Sequence, residues 1–241
     1  MSALVPSVEQ TLRLLRDGEL EVQGRLVDAS NATLYCTVTL DGETATCVHE
    51  PVAGERPLWD FPDGTLAGRE VAAYEVSVAT GWDLVPPTVL RDGPFGPGMC
   101  QLWVDVDETV DLVQLARSDR QDLRRLAVLD AVINNADRKG GHLLPTPDGR
   151  VYGVDHGVCF SVDDKLRTLL WQWSNDRLPA DAVEVLRGLR ADLDRRLGTR
   201  LGELLTRREL QATRRRVDRL LSTGRYPLPG SDWPAVPWPP F

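Results

Sequence analysis

Asp130-Ala131-Val132-Ile133-Asn134-Asn135-Ala136-Asp137-Arg138-Lys139-Gly140-Gly141-His142-Leu143-Leu144 carries an apolar helix face into a polar loop and on into a short strand. Pro147-Asp148-Gly149 supplies a turn, and a second strand, Val151-Tyr152-Gly153-Val154, ends on Asp155-His156-Gly157. Within the loop a carboxylate at Asp137 is followed two residues on by the ammonium of Lys139 and then by the imidazole of His142; Asp155 comes thirteen positions after that imidazole. Titratable groups gathered where a helix gives way to a hairpin read as a site, because packed positions reject unpaired charge.

Phosphoryl transfer needs this set of groups: a carboxylate to orient or deprotonate the acceptor, a cation on the transferring phosphate, and ligands for Mg²⁺. Protein kinases carry Asp-X-Lys-X-X-Asn followed by Asp-Phe-Gly, and the spacing here is similar, with His142 where the Asn would stand. The opening Asp137-Arg138 and the non-standard Asp155 triplet resemble the lipid-kinase branch more closely. The chain thus resembles the phosphatidylinositol 3- and 4-kinases and an uncharacterised actinobacterial family similar to them. The resemblance implies an α+β, two-lobed kinase-like fold with ATP and Mg²⁺, or Mn²⁺, in the cleft. It implies that Asp137 is the catalytic carboxylate, Lys139 the phosphate-contacting cation, and His142 and Asp155 the metal-site residues. Imidazole suits Mg²⁺ less well than an amide oxygen, which leaves three roles open for His142: an Mn²⁺ ligand, a hydrogen-bond donor, or neither.

A length of 241 residues is enough for one large core or two lobes sharing a cleft. The net charge of −8 argues against a general nucleic-acid binder. Lysine occurs only at Lys139 and Lys165, so a lysine in the central loop stands out against an arginine background. Cys36, Cys47, Cys100 and Cys159 lack paired metal spacing and read as buried free thiols. No basic leader and no apolar run approaching the ~18 residues of a membrane span is present, so the expected compartment is the cytoplasm, without membrane insertion.

Ser7 with Gln10 reads as the cap of a helix to Asp17. Strands follow at Leu20–Val27, Thr33–Leu40 and Thr44–Val48, the last two joined by the tight-turn pair Asp41-Gly42. Ser30, Asn31 and Ala32 lie where the kinase resemblance puts the phosphate loop, although such residues favour turns unaided. At the end of the third strand the resemblance implies Tyr-Lys-Pro, the Lys gripping the α- and β-phosphates. This chain has His49-Glu50-Pro51, a carboxylate in place of a cation. Arg56, with Arg69 behind it, is the nearest substitute. Thr65 caps an expected helix from Leu66 to Thr80, and Glu70 holds by order the place of the glutamate that pairs with the strand lysine. An arginine between Glu50 and Glu70, or a proton on one of them, would relieve their repulsion.

Strands at Thr88–Leu90 and Met99–Val104 complete a five-stranded lobe, and Val104-Asp105-Val106-Asp107 is the expected hinge whose backbone would recognise adenine, with Trp103 stacking nearby. Helices are expected at Val110–Ala116, Asp119–Asn134, Asp181–Leu197 and Thr199–Leu221. The expected division is residues 1–104 as N-terminal lobe, 105–222 as helical C-terminal lobe, and 223–241 as a Pro/Trp-rich tail that docks on the body. The functional expectation is an ATP/Mg²⁺-dependent phosphotransferase with an unknown protein or small-molecule acceptor. A nucleotide-binding pseudokinase scaffold, suggested by Glu50, and a nucleotidyl (AMP) transferase on a kinase fold are the alternatives.

Overall fold

Local sequence chemistry builds the first half of the molecule directly. The computed structural model describes residues 7–26, 31–62 and 64–241. Helix α1 (Val8–Asp17) starts on a capping box in which the Ser7 side chain accepts from Gln10 N–H while the Gln10 side chain accepts from Ser7 N–H. Strands β1 (Glu19–Arg25), β2 (Leu34–Leu40) and β3 (Glu43–Pro51) form an antiparallel meander. The β2–β3 turn places Asp41 and Gly42 at positive φ, as a two-residue hairpin of this hand requires. Strands β4 (Thr88–Gly93) and β5 (Gly96–Leu102) complete the sheet in the order β1-β2-β3-β5-β4. Strand β3 runs through Pro51, three residues beyond the expected Val48, because its ladder with β5 continues as Glu50 opposite Met99 and Pro51 opposite Gly98. A side chain at Gly98 would overlap the Glu50 backbone, so glycine there lets β5 close on the end of β3.

Helix α2 (Leu66–Thr80) crosses behind the sheet. Thr65 does not cap it through its side chain, contrary to the sequence expectation. Its hydroxyl donates to Pro62 O instead, and Glu55 accepts the free N–H groups of Leu66 and Ala67 at 3.2 and 2.9 Å. A carboxylate at a helix N-terminus satisfies orphan donors and complements the helix dipole. Leu14, Leu15, Cys36, Val38, Cys47, Val89 and Cys100 fill the space between α1 and the sheet, and all four cysteines are buried and unpaired.

The second half is helical: α3 (Leu112–Arg117), α4 (Gln121–Ile133), α5 (Ala180–Asp192), α6 (Arg196–Leu204) and α7 (Arg207–Thr223), with a small hairpin of β6 (Leu143–Pro145) and β7 (Val151–Gly153) after α4. The two long helices expected after Asp181 are three. The chain turns between Asp192 and Arg196, and again where Thr206 and Glu209 form a capping box that starts α7. Helix α2 contributes Ala72, Ala73, Tyr74 and Val76 to the large helical core, so it belongs to both halves. Among the described residues no helix is long and apolar enough to cross a membrane.

Candidate functional site

Helix α4 sets the site because it ends abruptly. Asn134 takes a left-handed conformation, φ 54°, which asparagine tolerates. Its amide donates to Ser161 O and Asp163 O and accepts from Lys165 N–H, so one side chain stops the helix and holds the segment after Asp155. The next residue, Asn135, donates to Asp130 at 3.0 Å and accepts from Asp137 N–H at 2.9 Å, which fixes the start of the loop.

Arg138 points inward and is fully buried. Its guanidinium meets both Asp130 oxygens (2.9 Å at the closest), Val154 O at 2.8 Å and His156 Nε2 at 2.6 Å. Because the guanidinium only donates, His156 Nε2 accepts and the ring proton sits on Nδ1. Burial and the neighbouring Arg138 push the His156 imidazole down to about 3, so it is neutral. This network was not read from the sequence. The signal available was Asp130 itself, an acidic residue inside the apolar run Leu129 to Ile133. A buried carboxylate of that kind needs a partner.

With Arg138 turned in, its neighbours turn out. Lys139 Nζ lies 2.9 Å from Asp137 Oδ2, and each side chain keeps about a quarter of its surface exposed, at 26% and 28%. His142 Nε2 lies 3.1 Å from Asp155 Oδ2. Asp155 has φ 59°, a conformation that costs a non-glycine residue of order 1 kcal/mol and recurs at functional bends. Burial holds His142 below its ordinary range, against the pull of Asp155.

The opposing wall comes from α2 and β3. Glu70, 3% exposed, accepts from His156 N–H at 2.6 Å through Oε1, while Oε2 has no partner among the described residues. Burial, and then Asp155, raise the Glu70 carboxyl to about 8. Glu50 accepts from the Thr33 hydroxyl at 2.6 Å. Burial followed by repulsion from Glu70 and Asp155 lifts Glu50 to about 7, against the hydrogen bonds from Thr33 and Asn31. Glu50, Glu70 and Asp155 therefore feel one another across a single space.

The two arginines suggested as a bridge do not fill that role. Arg69 is buried facing the other way, 2.5 Å from Glu209 and 2.6 Å from Cys159 O, beneath the Phe61 ring. Arg56 is exposed, and its backbone N–H donates to Asn31 Oδ1 at 3.1 Å. Ala32 N–H donates to Gly54 O at 3.1 Å, so the end of the β1–β2 connection is tied to the residues after β3. Ser30 lies outside the described residues. Trp103 donates its backbone N–H to Thr46 O at 3.0 Å and stacks edge-on against Tyr35. Val104, beyond it, has no backbone hydrogen bond among the described residues.

Among the described residues no three histidines, cysteines or carboxylates stand together as a ready-made metal cage. The unpartnered Glu70 Oε2 and the Asp155 carboxylate nevertheless supply the oxygen donors that a hard cation takes, with the His142 imidazole beside Asp155. Mg²⁺ in nucleotide sites is held by one or two carboxylates together with phosphate oxygens and water.

No family model matches the chain. The Mycobacterium tuberculosis protein Rv2133c is 46% identical over 263 aligned positions, covering 95% of this chain and 94% of that protein. Phosphatidylinositol 4-kinase gamma 4 of Oryza sativa subsp. japonica is 28% identical, with 80% of this chain aligned to 40% of that protein. Its Arabidopsis thaliana namesake is 29% identical, with 54% of this chain aligned to 28% of it. The chain thus spans less than half the length of these plant relatives. Among solved structures, the Golgi casein kinase with Mn/ADP bound superposes with a TM-score of 0.59 at 15% identity, covering 90% of this chain and 75% of that one. Hydra Fam20 with sugar gives 0.58 at 13% identity, covering 91% and 89%. These likenesses establish the two-lobed kinase-like fold, with its antiparallel five-stranded lobe and mostly helical remainder, and a distant sequence relation to the phosphatidylinositol 4-kinases.

Proposed function

The chain belongs to the family of the Mycobacterium tuberculosis protein Rv2133c, and we propose that it is an ATP- and Mg²⁺-dependent phosphotransferase working in the cleft between its lobes. The observation that carries this reading is the pairing of Asp137 with Lys139 on a loop whose buried Arg138 also holds the Asp155 turn through Val154 O and His156. One rigid network therefore sets the acceptor side and the phosphate side together, the positioning on which phosphoryl transfer depends.

Asp137 orients the acceptor hydroxyl and takes its proton as the acceptor oxygen bonds to the γ-phosphorus. The bond from that phosphorus to the bridging oxygen breaks, leaving ADP. Lys139 offsets charge on the transferring group, and its pairing with Asp137 keeps it within reach before substrate arrives. Asp155, with Glu70 behind it and His142 alongside, would hold the divalent ion, which supplies charge neutralisation at the phosphates. The unbonded Val104 backbone offers the adenine contact, and Asn31, Ala32 and the Gly54 turn border the phosphates.

Glu50 favours a second reading, a nucleotide-binding scaffold with little turnover. Two like charges a few ångströms apart repel by ~1–4 kcal/mol at intermediate dielectric, enough to weaken ATP binding by about one to three orders of magnitude. A carboxyl lifted to about 7 is in part protonated at neutral pH, which lessens that cost. ADP release with Mg²⁺ or Mn²⁺, measured beside ATP binding, separates the readings. Asp137→Asn is expected to lower turnover ~10²–10⁴-fold with ATP binding retained. Asp155→Ala is expected to abolish metal-dependent binding, and binding that survives it unchanged overturns the metal assignment. ADP release gained only with Glu50→Lys supports the scaffold; pyrophosphate release points to nucleotidyl transfer.

A further inference from the structure

The segment from Trp233 to Phe241 lies along Gly140 and residues 167–171, and its contacts have a consistent chemistry. Ala235 O accepts from Thr168 N–H at 3.0 Å and from the Trp171 indole N–H at 2.9 Å. Pro234 O accepts from Arg167 Nε at 3.1 Å, and Pro240 O accepts from Gly140 N–H at 2.7 Å. Every one of these bonds runs from the body to a carbonyl of the segment. Pro234, Pro237, Pro239 and Pro240 have no N–H to give, so the body face supplies donors to a proline-rich segment that meets it through its carbonyls. An indole donating to a carbonyl beside prolines is how proline-rich ligands are recognised elsewhere.

Both ends are anchored by rings. Trp233 stacks on Trp59 at 6.1 Å and covers Lys165 Nζ at 4.4 Å. That ammonium also pairs with Asp60 at 2.9 Å and is 4% exposed by side chain. At the other end the Phe241 ring occupies the space a side chain on Gly140 would need, three residues from Asp137. Trp238 and Phe241 remain 85% and 51% exposed, so the segment is held along one side only.

We propose that the face formed by Gly140 and Arg167–Trp171 is a recognition groove for proline-rich aromatic peptide segments, held in cis by residues 233–241. A partner protein carrying such a segment displaces them and so brings its acceptor hydroxyl to Asp137. The proposal rests on the phosphotransferase reading for the fate of the acceptor, and on the donor pattern alone for the groove. It names the acceptor class as a protein hydroxyl flanked by prolines.

A labelled peptide of sequence Ser231–Phe241, titrated by fluorescence polarisation against the full-length chain and against full-length Trp233→Ala/Phe241→Ala, tests the groove. The unaltered chain competes with its own segment at high effective concentration, so the double variant is expected to bind the peptide about tenfold or more tightly. Adding Trp171→Phe, which keeps a ring and removes the N–H, is expected to weaken that binding again. Equal binding to both forms, or none, overturns the groove. Tail exchange between copies, seen as a dimer growing with concentration, assigns the groove to a second copy and overturns the partner assignment.

A second peptide, Ser231–Phe241 extended by a C-terminal serine so that the Phe241 anchor is kept, then tests the acceptor class by mass spectrometry at the added residue. Its phosphorylation by the double variant is expected. Binding without phosphorylation, in protein that still binds ATP·Mg²⁺, overturns the acceptor class. Loss of ATP·Mg²⁺ binding in every form, with peptide binding intact, strikes the phosphotransferase reading and spares the groove.

Discussion

Two groups of buried charge meet at His156 and are handled in opposite ways. On one side Asp130, Asn135 and Arg138 close a network in which the guanidinium is surrounded by acceptors and the carboxylate by donors. On the other, neither Glu70 nor Glu50 forms a salt bridge with an arginine or lysine among the described residues, Glu70 Oε2 has no hydrogen bond there, and His156 Nδ1, also without one, stands 3.8 Å from it. The satisfied network is scaffold. The glutamate pair carries unfavourable electrostatics that a proton or a bound cation relieves.

The contrast makes graded predictions. Arg138→Met leaves Asp130 buried without its countercharge, and is expected to lower stability by ~3–5 kcal/mol in equilibrium denaturation. A loss below ~1 kcal/mol would dissolve the distinction between the two groups.

Glu50→Gln acts in the other direction, and only at high pH. Unfolded, both glutamates ionise near their ordinary value of 4.5, whereas in the folded protein they hold their protons to about 7 and 8. Between those limits the folded state binds more protons than the unfolded one, so this pair's contribution to stability falls as pH rises from 4.5 and levels off above 8. In metal-free buffer Glu50→Gln is expected to gain about 3 kcal/mol at pH 8 and almost nothing at pH 4.5. A gain that did not depend on pH would mean the carboxylate is not the source.

Thr33→Val removes the hydroxyl that favours the charged Glu50 and is expected to cost ~1 kcal/mol above pH 7, less at pH 5. At the bottom of the scale, Arg187→Ala breaks a pair whose side chains are 64% and 76% exposed, and thermal melts should move by no more than about a degree.

Much of the fold was legible because its signals are local. Asp41-Gly42 fixes a hairpin by turn chemistry, Ser7 and Gln10 fix a helix start, and the run from Leu66 to Thr80 has the right period and a glycine stop. The division after Asp181 was not legible, since apolar spacing continues through the break and only the Thr206–Glu209 box marks the later boundary. Of the loop residues singled out from sequence, the structure brings Asp137 to Lys139, His142 to Asp155, and Glu50 and Glu70 into one field. What sequence could not supply was partnership at long range. Arg69 finds Glu209 140 positions away, Lys165 finds Asp60 105 positions away, and nothing in either neighbourhood announces it. Arg138 shows the same limit at short range: beside Asp137 and Lys139 it reads as another loop cation, and burial alone distinguishes it.

The Arg69–Glu209 pair also bears on how the two halves of the molecule move. It fastens the helix behind the sheet to α7 by a buried ion pair, and rupturing it leaves each charge without its partner until water enters. At ~3–5 kcal/mol for such a rupture, on the order of one molecule in 10² to 10⁴ would be unlatched at any moment. Any opening of the cleft is then expected to come from the strands flexing over a stationary helix, not from a whole lobe swinging away. Spin labels on α2 and α7 should report one separation with or without nucleotide, and a second population would refute this.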